Sequence, residues 1–583
     1  ANRIMAADPL QLLADELREE NIATRIQAVG RVRTIALALG VERTRKELIP
    51  FCKAAIAEQD DEVLMALAEH VGSLVDVVGG GDHAFVLLPL LEALAEVEET
   101  VVREKAVASL CKVGGQMPAA PFAENFIPLL KRLAASEAFA SRISACGLFA
   151  TAYPTSTGVI KGALRKLFTQ LATDEMPMVR SAAFAHLPVF ALQVDKPLLK
   201  SELLPLFQRL AQDEQEAVRN IAVENLVKMS KFLTPEENSQ AFLQIIHSFA
   251  GDKCARVRLD RAKFFCDLAD AVGADTAKRE LLPIYLSLLQ DQEVDVRSSA
   301  VENMPRFAQM LDSGLIVDQA MPVFKTLSAD TQQQVRIMLS SVLGELSLHL
   351  GSEATVQHIL PLLNDLLKDE VSEVRMNVIA HLTSVHKAVG SEIISEQLLP
   401  KLVTLSTDKQ WRVRLAIVEA LPMLAESIGP QAFESKLKAV QTNSVKDPVA
   451  AVRESAAQNM GRLCRVLGEP WILQHCLPTV REISAQNKDS YLHRVSALAC
   501  IMVLAPTFTP TAVAEHLVPI ALPLAKDPVP NVRFAFGRSM ANVVTNIDSG
   551  ICNERLRPLL VELSSDEDDD VKYFAKVALS KCK

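Results

Sequence analysis

Aromatic side chains are scarce in this sequence, at 5% of residues, although 49% of residues are apolar. A chain built on Leu, Ala and Val with few rings suits thin layers of helix against helix. Long hydrophobic runs are missing as well. The longest uncharged apolar stretch, Val495 to Pro506, is shorter than the ~20 residues a membrane span needs, and no secretory signal pattern opens the chain. The ten cysteines have no paired spacing and no CxxC, so they read as reduced core thiols. That reading expects a cytoplasmic location, with the nucleus as a second compartment. Basic excess is also absent. A formal net charge of −10 argues against nucleic acid as the main partner.

Catalytic signatures are lacking too. Gly79-Gly80-Gly81 is followed by no GK[ST], so it is not a phosphate loop. The eleven histidines form no HExxH, and His381 and His386, five apart, make a poor metal pair on one helix. No His-Glu dipeptide and no GxSxG context stands out. The sequence therefore predicts no enzyme, no catalytic residue, no cofactor and no metal.

What the chain does contain is a period. In the stretch 397–429, Leu398, Leu399, Leu402 and Val403 recur at helical spacing before a turn around Asp408. Val413, Ile417, Leu421, Leu424 and Ile428 then form a second apolar stripe, closed by Gly429. The same pair of stripes recurs along the sequence. Its second half carries a marker residue at Arg25, Leu64, Arg103, Arg142, Arg180, Arg219, Arg258, Arg297, Arg336, Arg375, Arg414, Arg453, Arg494, Arg533 and Lys572. Most steps are 39 residues, and one, ahead of Arg494, is 41. The fifteen markers number the repeats.

Three further residue types hold the register. Asp stands six before the marker at 174, 213, 252, 291, 330, 369, 408, 447, 527 and 566. Pro stands fourteen before it at 50, 89, 128, 205, 283, 322, 361, 400, 519 and 558. Gly stands fifteen after it at 40, 79, 273, 351, 390, 429 and 468. A period near 40 with two helices per repeat marks an all-α solenoid, an alpha-alpha superhelix in which each repeat packs only on its neighbours. No long linker interrupts it, so 1–583 reads as a single array.

The recurring Asp is expected to cap the second helix and to pair with an Arg, within a repeat or across two. The first helix carries the recurring Pro, which is tolerated near a helix start and bends the helix when deeper. Pro188, Pro305 and Pro422, eight after their markers, are expected to kink three second helices. A motif present in nearly every repeat cannot mark one site, so departures from it matter more. Trp411 and Arg412, the group Tyr491, Leu492 and His493, and Asn531 and Tyr573 decorate the turns of repeats 11 to 15 and suggest a docking surface. Trp411 and Tyr491 are expected to be exposed, whereas Phe534 and Phe574 divide evenly between core and surface. The turns at the other end are acidic or polar: Glu98 and Glu99; Asp174, Pro177 and Met178; Asp213.

The repeats look like HEAT repeats, and the chain resembles the scaffold (A, 65-kDa regulatory) subunits of protein phosphatase 2A. The resemblance covers all fifteen repeats. It rests on IALALGVERTR from Ile35, VEETVVREKAV from Val97, SACGLF from Ser144, PMVR from Pro177, WRVRLAI from Trp411, YLHR from Tyr491, NVRF from Asn531 and DVKYFA from Asp570. Ala255 and Ala450 stand where that family often has Trp and Tyr. The resemblance implies a hook- or horseshoe-shaped, non-enzymatic scaffold that joins a heterodimer or heterotrimer. It places the phosphatase 2A catalytic subunit on repeats 11–15 (395–583), at Trp411, Arg412, Tyr491, His493, Asn531, Arg533 and Tyr573. It places an exchangeable regulatory B-type subunit on repeats 1–8 (6–316), at Glu98, Glu99, Arg103, Asp174, Pro177, Met178, Arg180 and Asp213. A nuclear transport receptor of the importin-beta type is the alternative reading; the regular 39-residue step counts against it.

Overall fold

The structure, a computed structural model, describes residues 8–485 and 490–582. Among these every regular element is a helix, and the order of elements follows the fifteen repeats as helical hairpins. The fold is the all-α HEAT-type solenoid that the period predicts. The chain divides into two compact segments, Ala1–Leu288 and Leu289–Lys583. In each, second helices pack on the second helices of adjacent repeats, as Asp61–Val71 does on Thr100–Gly114 and Pro530–Val543 on Asp569–Lys581. Residues 486–489, within the 41-residue step, lie outside the described residues.

The recurring proline explains the form of the first helices. Nine of the ten stand two residues after a five-residue π turn, as Pro400 does after Ile394–Leu398. There the N–H of Leu399 donates to the carbonyl of Ile394, five residues back. Pro400 has no N–H and its ring would clash with the carbonyl four residues earlier, so the helix widens just ahead of it. The first helices Gly158–Ala172 and Pro235–Ala250 have Lys166 and Gln244 in that slot and run without a π turn. Pro89 is the exception, preceded by the 3-10 turn Gly81–Leu87.

All seven register glycines have φ between +77° and +100°, the left-handed region that lets a second helix stop and the chain reverse. The kinks expected at proline are only partly found. Helix runs through Pro188 and Pro422, whereas it breaks at Asn303, two residues ahead of Pro305. The same break, six after the marker, occurs at Leu148, Phe264 and His381 with no proline nearby. It therefore belongs to the repeat rather than to proline.

The core is mainly Leu, Val and Ala, but its rings are clustered rather than spread. Phe149, Phe168 and Phe190 meet at centroid distances of 4.7–5.7 Å, and Phe207 bridges Phe184 and Phe242 at 5.1 and 5.3 Å. These buried rings fill repeats 4 to 7. One core position breaks its column. Three residues after the marker, the other fourteen repeats bury Ala, Leu, Val, Ile or Phe, from Ala28 to Ala575. Repeat 7 buries Arg261 there at 0% exposure, and none of its three guanidinium nitrogens has a hydrogen-bond partner. Burial pulls its pKa down to about 9. An unpaired charge in such a place costs several kcal/mol. Replacing it by an apolar side chain of similar length, Arg261→Met, is expected to stabilise the protein by at least ~1 kcal/mol. Denaturant unfolding checks this, and a less stable variant would show that Arg261 is held by an interaction worth more than its desolvation.

Candidate docking ridge on the turns

The turns between first and second helices are built on one interaction. Each marker arginine of the ladder reaches forward to the Asp of the next repeat. In the N-terminal segment Arg142 bonds Asp174, Arg180 bonds Asp213 and Arg219 bonds Asp252, at 2.7–2.8 Å. In the C-terminal segment the pairs are Arg297–Asp330, Arg336–Asp369, Arg375–Asp408, Arg414–Asp447, Arg494–Asp527 and Arg533–Asp566, at 2.6–3.0 Å. Most are bidentate: Nε and Nη2 of Arg414 donate to the two carboxylate oxygens of Asp447 at 2.7 and 2.9 Å. The remaining nitrogen turns back to its own repeat, where Nη1 of Arg414 donates to the carbonyl of Asp408 at 2.8 Å.

The Asp does not cap the helix as expected. Its Oδ1 accepts the N–H two residues on, as Asp408 does from Gln410 at 2.8 Å, and this closes the turn ahead of the helix. The helix N-cap, Gln410 itself, makes no side-chain cap bond. The reason is spacing: the Asp lies three residues before the first helical residue, too far to reach the N2 or N3 amide.

Electrostatics follow the geometry. Partial burial would raise the Asp213 carboxyl, but bonds from Arg180 and the Gln215 N–H, with the charges of Arg180 and Arg219, outweigh it and hold it below its ordinary value. Asp252, Asp369 and Asp447 show the same balance, and at Asp566 the Arg533 bond is itself the largest cause. One marker arginine of the N-terminal segment, Arg103, faces a slot without a carboxylate. That slot holds Ser136, whose Oγ still accepts the Ala138 N–H at 3.3 Å and so keeps the turn without supplying a charge. Buried Arg103 keeps the Nη1 bonds to the Val97 and Glu98 carbonyls of its own repeat, and its Nη2 donates to Thr100 Oγ1 in place of a carboxylate. Beside it the second helices of repeats 3 to 5 leave an open cleft of about 520 Å³, lined by Val107, Ile143, Ala182 and His186 among others. Burial lowers the His186 pKa.

The sequence-predicted residues therefore fall into two groups. Arg103, Asp174, Arg180, Asp213 and Arg533 have their charged groups engaged in the framework. Glu98, Glu99, Met178, Arg412, Tyr491, Asn531 and Tyr573 are exposed on the ridge. Glu99 also caps its helix through the Val101 N–H, and Pro177 occupies the first position of the helix Pro177–Ala191. Trp411 is half-buried rather than exposed, with the Arg412 guanidinium stacked 4.8 Å from its ring. His493 is half-buried one position before Arg494. Phe534 and Phe574 are half-buried against each other at 4.9 Å, and Tyr573 stands on Phe574 at 5.1 Å. Two exposed apolar ridge residues are absent from the sequence-based set, Val101 and Phe139. Their place two or three residues before a marker, the region that Met178 also occupies, was the available signal.

Comparison with known proteins completes the picture. Residues 274–351 match the family model described as PPP2R1A-like HEAT repeat, 203–233 match the HEAT repeat, and 328–429 and 351–467 match the PIK3R4-like middle domain. Over 191 residues the chain is 52% identical to the alpha isoform of the 65 kDa regulatory (A-type) subunit of serine/threonine-protein phosphatase 2A from Arabidopsis thaliana, covering 33% of this chain and 32% of that protein. It is 48% identical over 188 residues to the protein phosphatase 2A scaffold subunit of Dictyostelium discoideum, covering 32% of each. The match thus spans about a third of the length of these relatives. Among solved structures, Kap121p bound to RanGTP gives a TM-score of 0.49 at 12% identity, over 98% of this chain and 66% of that one.

Two measurements test the ladder. Ser136→Asp, which supplies the missing carboxylate opposite Arg103, is expected to stabilise the protein by about 1 kcal/mol, and Ser136→Asn is not. Equal stability of the two variants would separate the turn from the rung. The lowered carboxyls add stability above the unfolded Asp value of about 3.9 and lose it as pH falls through their folded values. Thermal midpoints are therefore expected to hold from pH 7 to 5 and to drop below about pH 4; a profile flat to pH 2 would show that the carboxylates do not matter. The chain is a HEAT-repeat solenoid that resembles the 65-kDa scaffold subunits of protein phosphatase 2A.

Proposed function

We propose that this chain is a non-catalytic scaffold of a serine/threonine protein phosphatase 2A assembly. It binds the catalytic subunit on the turns of repeats 11–15 and an exchangeable regulatory B-type subunit on those of repeats 1–8. The observation that carries the reading is the identity of about one residue in two, over 191 residues, to proteins named as scaffold or 65-kDa regulatory subunits. The ridge gives it a physical form. The ladder fixes the turns from below, and the side chains left at the rim differ between the ends. Acidic and apolar groups, Glu98, Glu99, Val101 and Met178, occupy one end; ring and cationic groups, Trp411, Arg412, Tyr491 and Tyr573, occupy the other.

Such a scaffold acts by geometry. Holding a phosphatase and a substrate-selecting subunit on one body raises the effective concentration of substrate near the active site. Because each repeat touches only its neighbours, small rotations add along the array and adapt it to different partners. A cytoplasmic and nuclear location goes with this reading.

Trp411, stacked with Arg412 and half-exposed, is the anchor to test. Trp411→Ala is expected to weaken binding of a phosphatase 2A catalytic subunit by ~2 kcal/mol or more, with the fold intact by circular dichroism. Unchanged affinity in a titration would remove Trp411 from the interface. Absence of any catalytic-subunit binding by the unmodified chain, with binding to Ran in its place, would favour the transport-receptor reading.

A further inference from the structure

The incomplete rung at Arg103 adjoins the cleft on the second helices. Arg103 Nη1 donates to the carbonyls of Val97 and Glu98, as Arg142 Nη1 does to those of Ser136 and Glu137 at the same offsets. The two guanidinium groups are anchored alike, so Arg103 turns forward the same Nε–Nη2 edge that Arg142 gives to the carboxylate of Asp174. No carboxylate meets it. Nη2 has the Thr100 hydroxyl, and Nε, on a side chain 6% exposed, has no hydrogen-bond partner. A buried cationic donor left in this way is costly. Thr100 and Arg103 also form the turn end of the cleft of about 520 Å³. Its space comes from small residues, Ala108, Gly147, Ala182 and Ala185, contributed by three successive repeats, and Val107 and Ile143 give it apolar walls. Gly147 is required there, since a Cβ would come within 2.6 Å of Val107.

We propose that this cleft binds a small monocarboxylate with an apolar body, whose carboxylate takes the place of the missing Asp opposite Arg103. The ligand accepts from Nε and Nη2 in the bidentate manner of the other rungs and turns the Thr100 hydroxyl aside, while its body lies along Val107 and Ile143. Three features of the cleft select this class. The forward edge of Arg103 is a fork of two donors, which matches one planar carboxylate. The volume falls in the range of roughly 300–1,000 Å³ in which small-molecule sites occur, and the walls are mainly apolar. The lining offers no second cation: burial lowers the His186 pKa, which keeps that imidazole neutral at neutral pH, and Glu104, exposed at the rim, repels a second acidic group. Dicarboxylates and phosphate esters are disfavoured accordingly. The bound ligand joins Arg103 of repeat 3 to the walls supplied by repeats 4 and 5. The site belongs to the chain alone and does not depend on its role in a phosphatase.

The test is a calorimetric titration of the full chain at neutral pH with 1-naphthylacetate, and with the neutral 1-naphthylacetamide as a control of the same shape. The carboxylate is expected to bind at one site per chain, about tenfold or more tighter than the amide, as charge-assisted bonds to a buried guanidinium require. Ser136→Asp, which fills the rung from within the chain, is expected to lower the affinity for the carboxylate to that for the amide and to leave the amide unaffected. Ala182→Phe, which fills the cleft and spares Arg103, is expected to abolish binding of both; thermal melting checks that each variant is folded. The proposal is overturned if neither compound binds, if the two bind equally, if Ser136→Asp leaves the affinity for the carboxylate unchanged, or if Ala182→Phe leaves both affinities unchanged.

Discussion

A guanidinium that grips the next repeat's carboxylate with one edge and its own repeat's backbone with the other sets the geometry of this protein. A helical hairpin of some forty residues cannot bury its apolar stripe alone, so each repeat depends on its neighbours. Apolar packing is non-directional and would allow neighbours to slide. The bidentate Arg–Asp bond is directional, and its partners sit 32 or 33 residues apart in sequence. A half-buried ion pair returns modest net stability once desolvation is counted. What it contributes here is placement: every turn it joins is held at a fixed position relative to the next.

The backbone carries a second set of constraints. Proline removes one N–H and widens the first helix into a π turn; glycine takes positive φ and ends the second helix. Both act locally and need no tertiary contact, which is why they recur at fixed offsets. The repeats without the proline show the same logic from the other side, since Gly158–Ala172 and Pro235–Ala250 stay regular. Where the local rules agree with the stacking the repeat is ordinary. Arg261 is the place where they do not, a charge in a column that every other repeat fills with apolar side chains.

The ladder also decides what the ridge can offer a partner. Once Arg180, Asp213, Arg414 and Asp447 satisfy one another, the charged groups common to most repeats are spent on architecture. On the proposed reading, recognition falls to side chains that vary, such as Met178, Trp411 and Tyr573. Their support is nonetheless common: Tyr573 stands on Phe574, which packs edge-on against Phe534 of the preceding repeat. Rings that the sequence left undecided between core and surface thus serve as a shelf beneath the exposed one.

Fold class, repeat number, register and the positive-φ glycines were all legible in the linear order of residues, because they rest on periodicity and on the φ/ψ limits of single residues. So were the turns and their unusual side chains. Two matters stayed open until the repeats were stacked. Whether each Arg pairs within its repeat or with the next depends on how neighbours pack, and packing brings residues 33 apart to 2.7 Å. Whether a turn ring is exposed depends on what the adjoining repeat places under it, as Phe534 shows at Phe574.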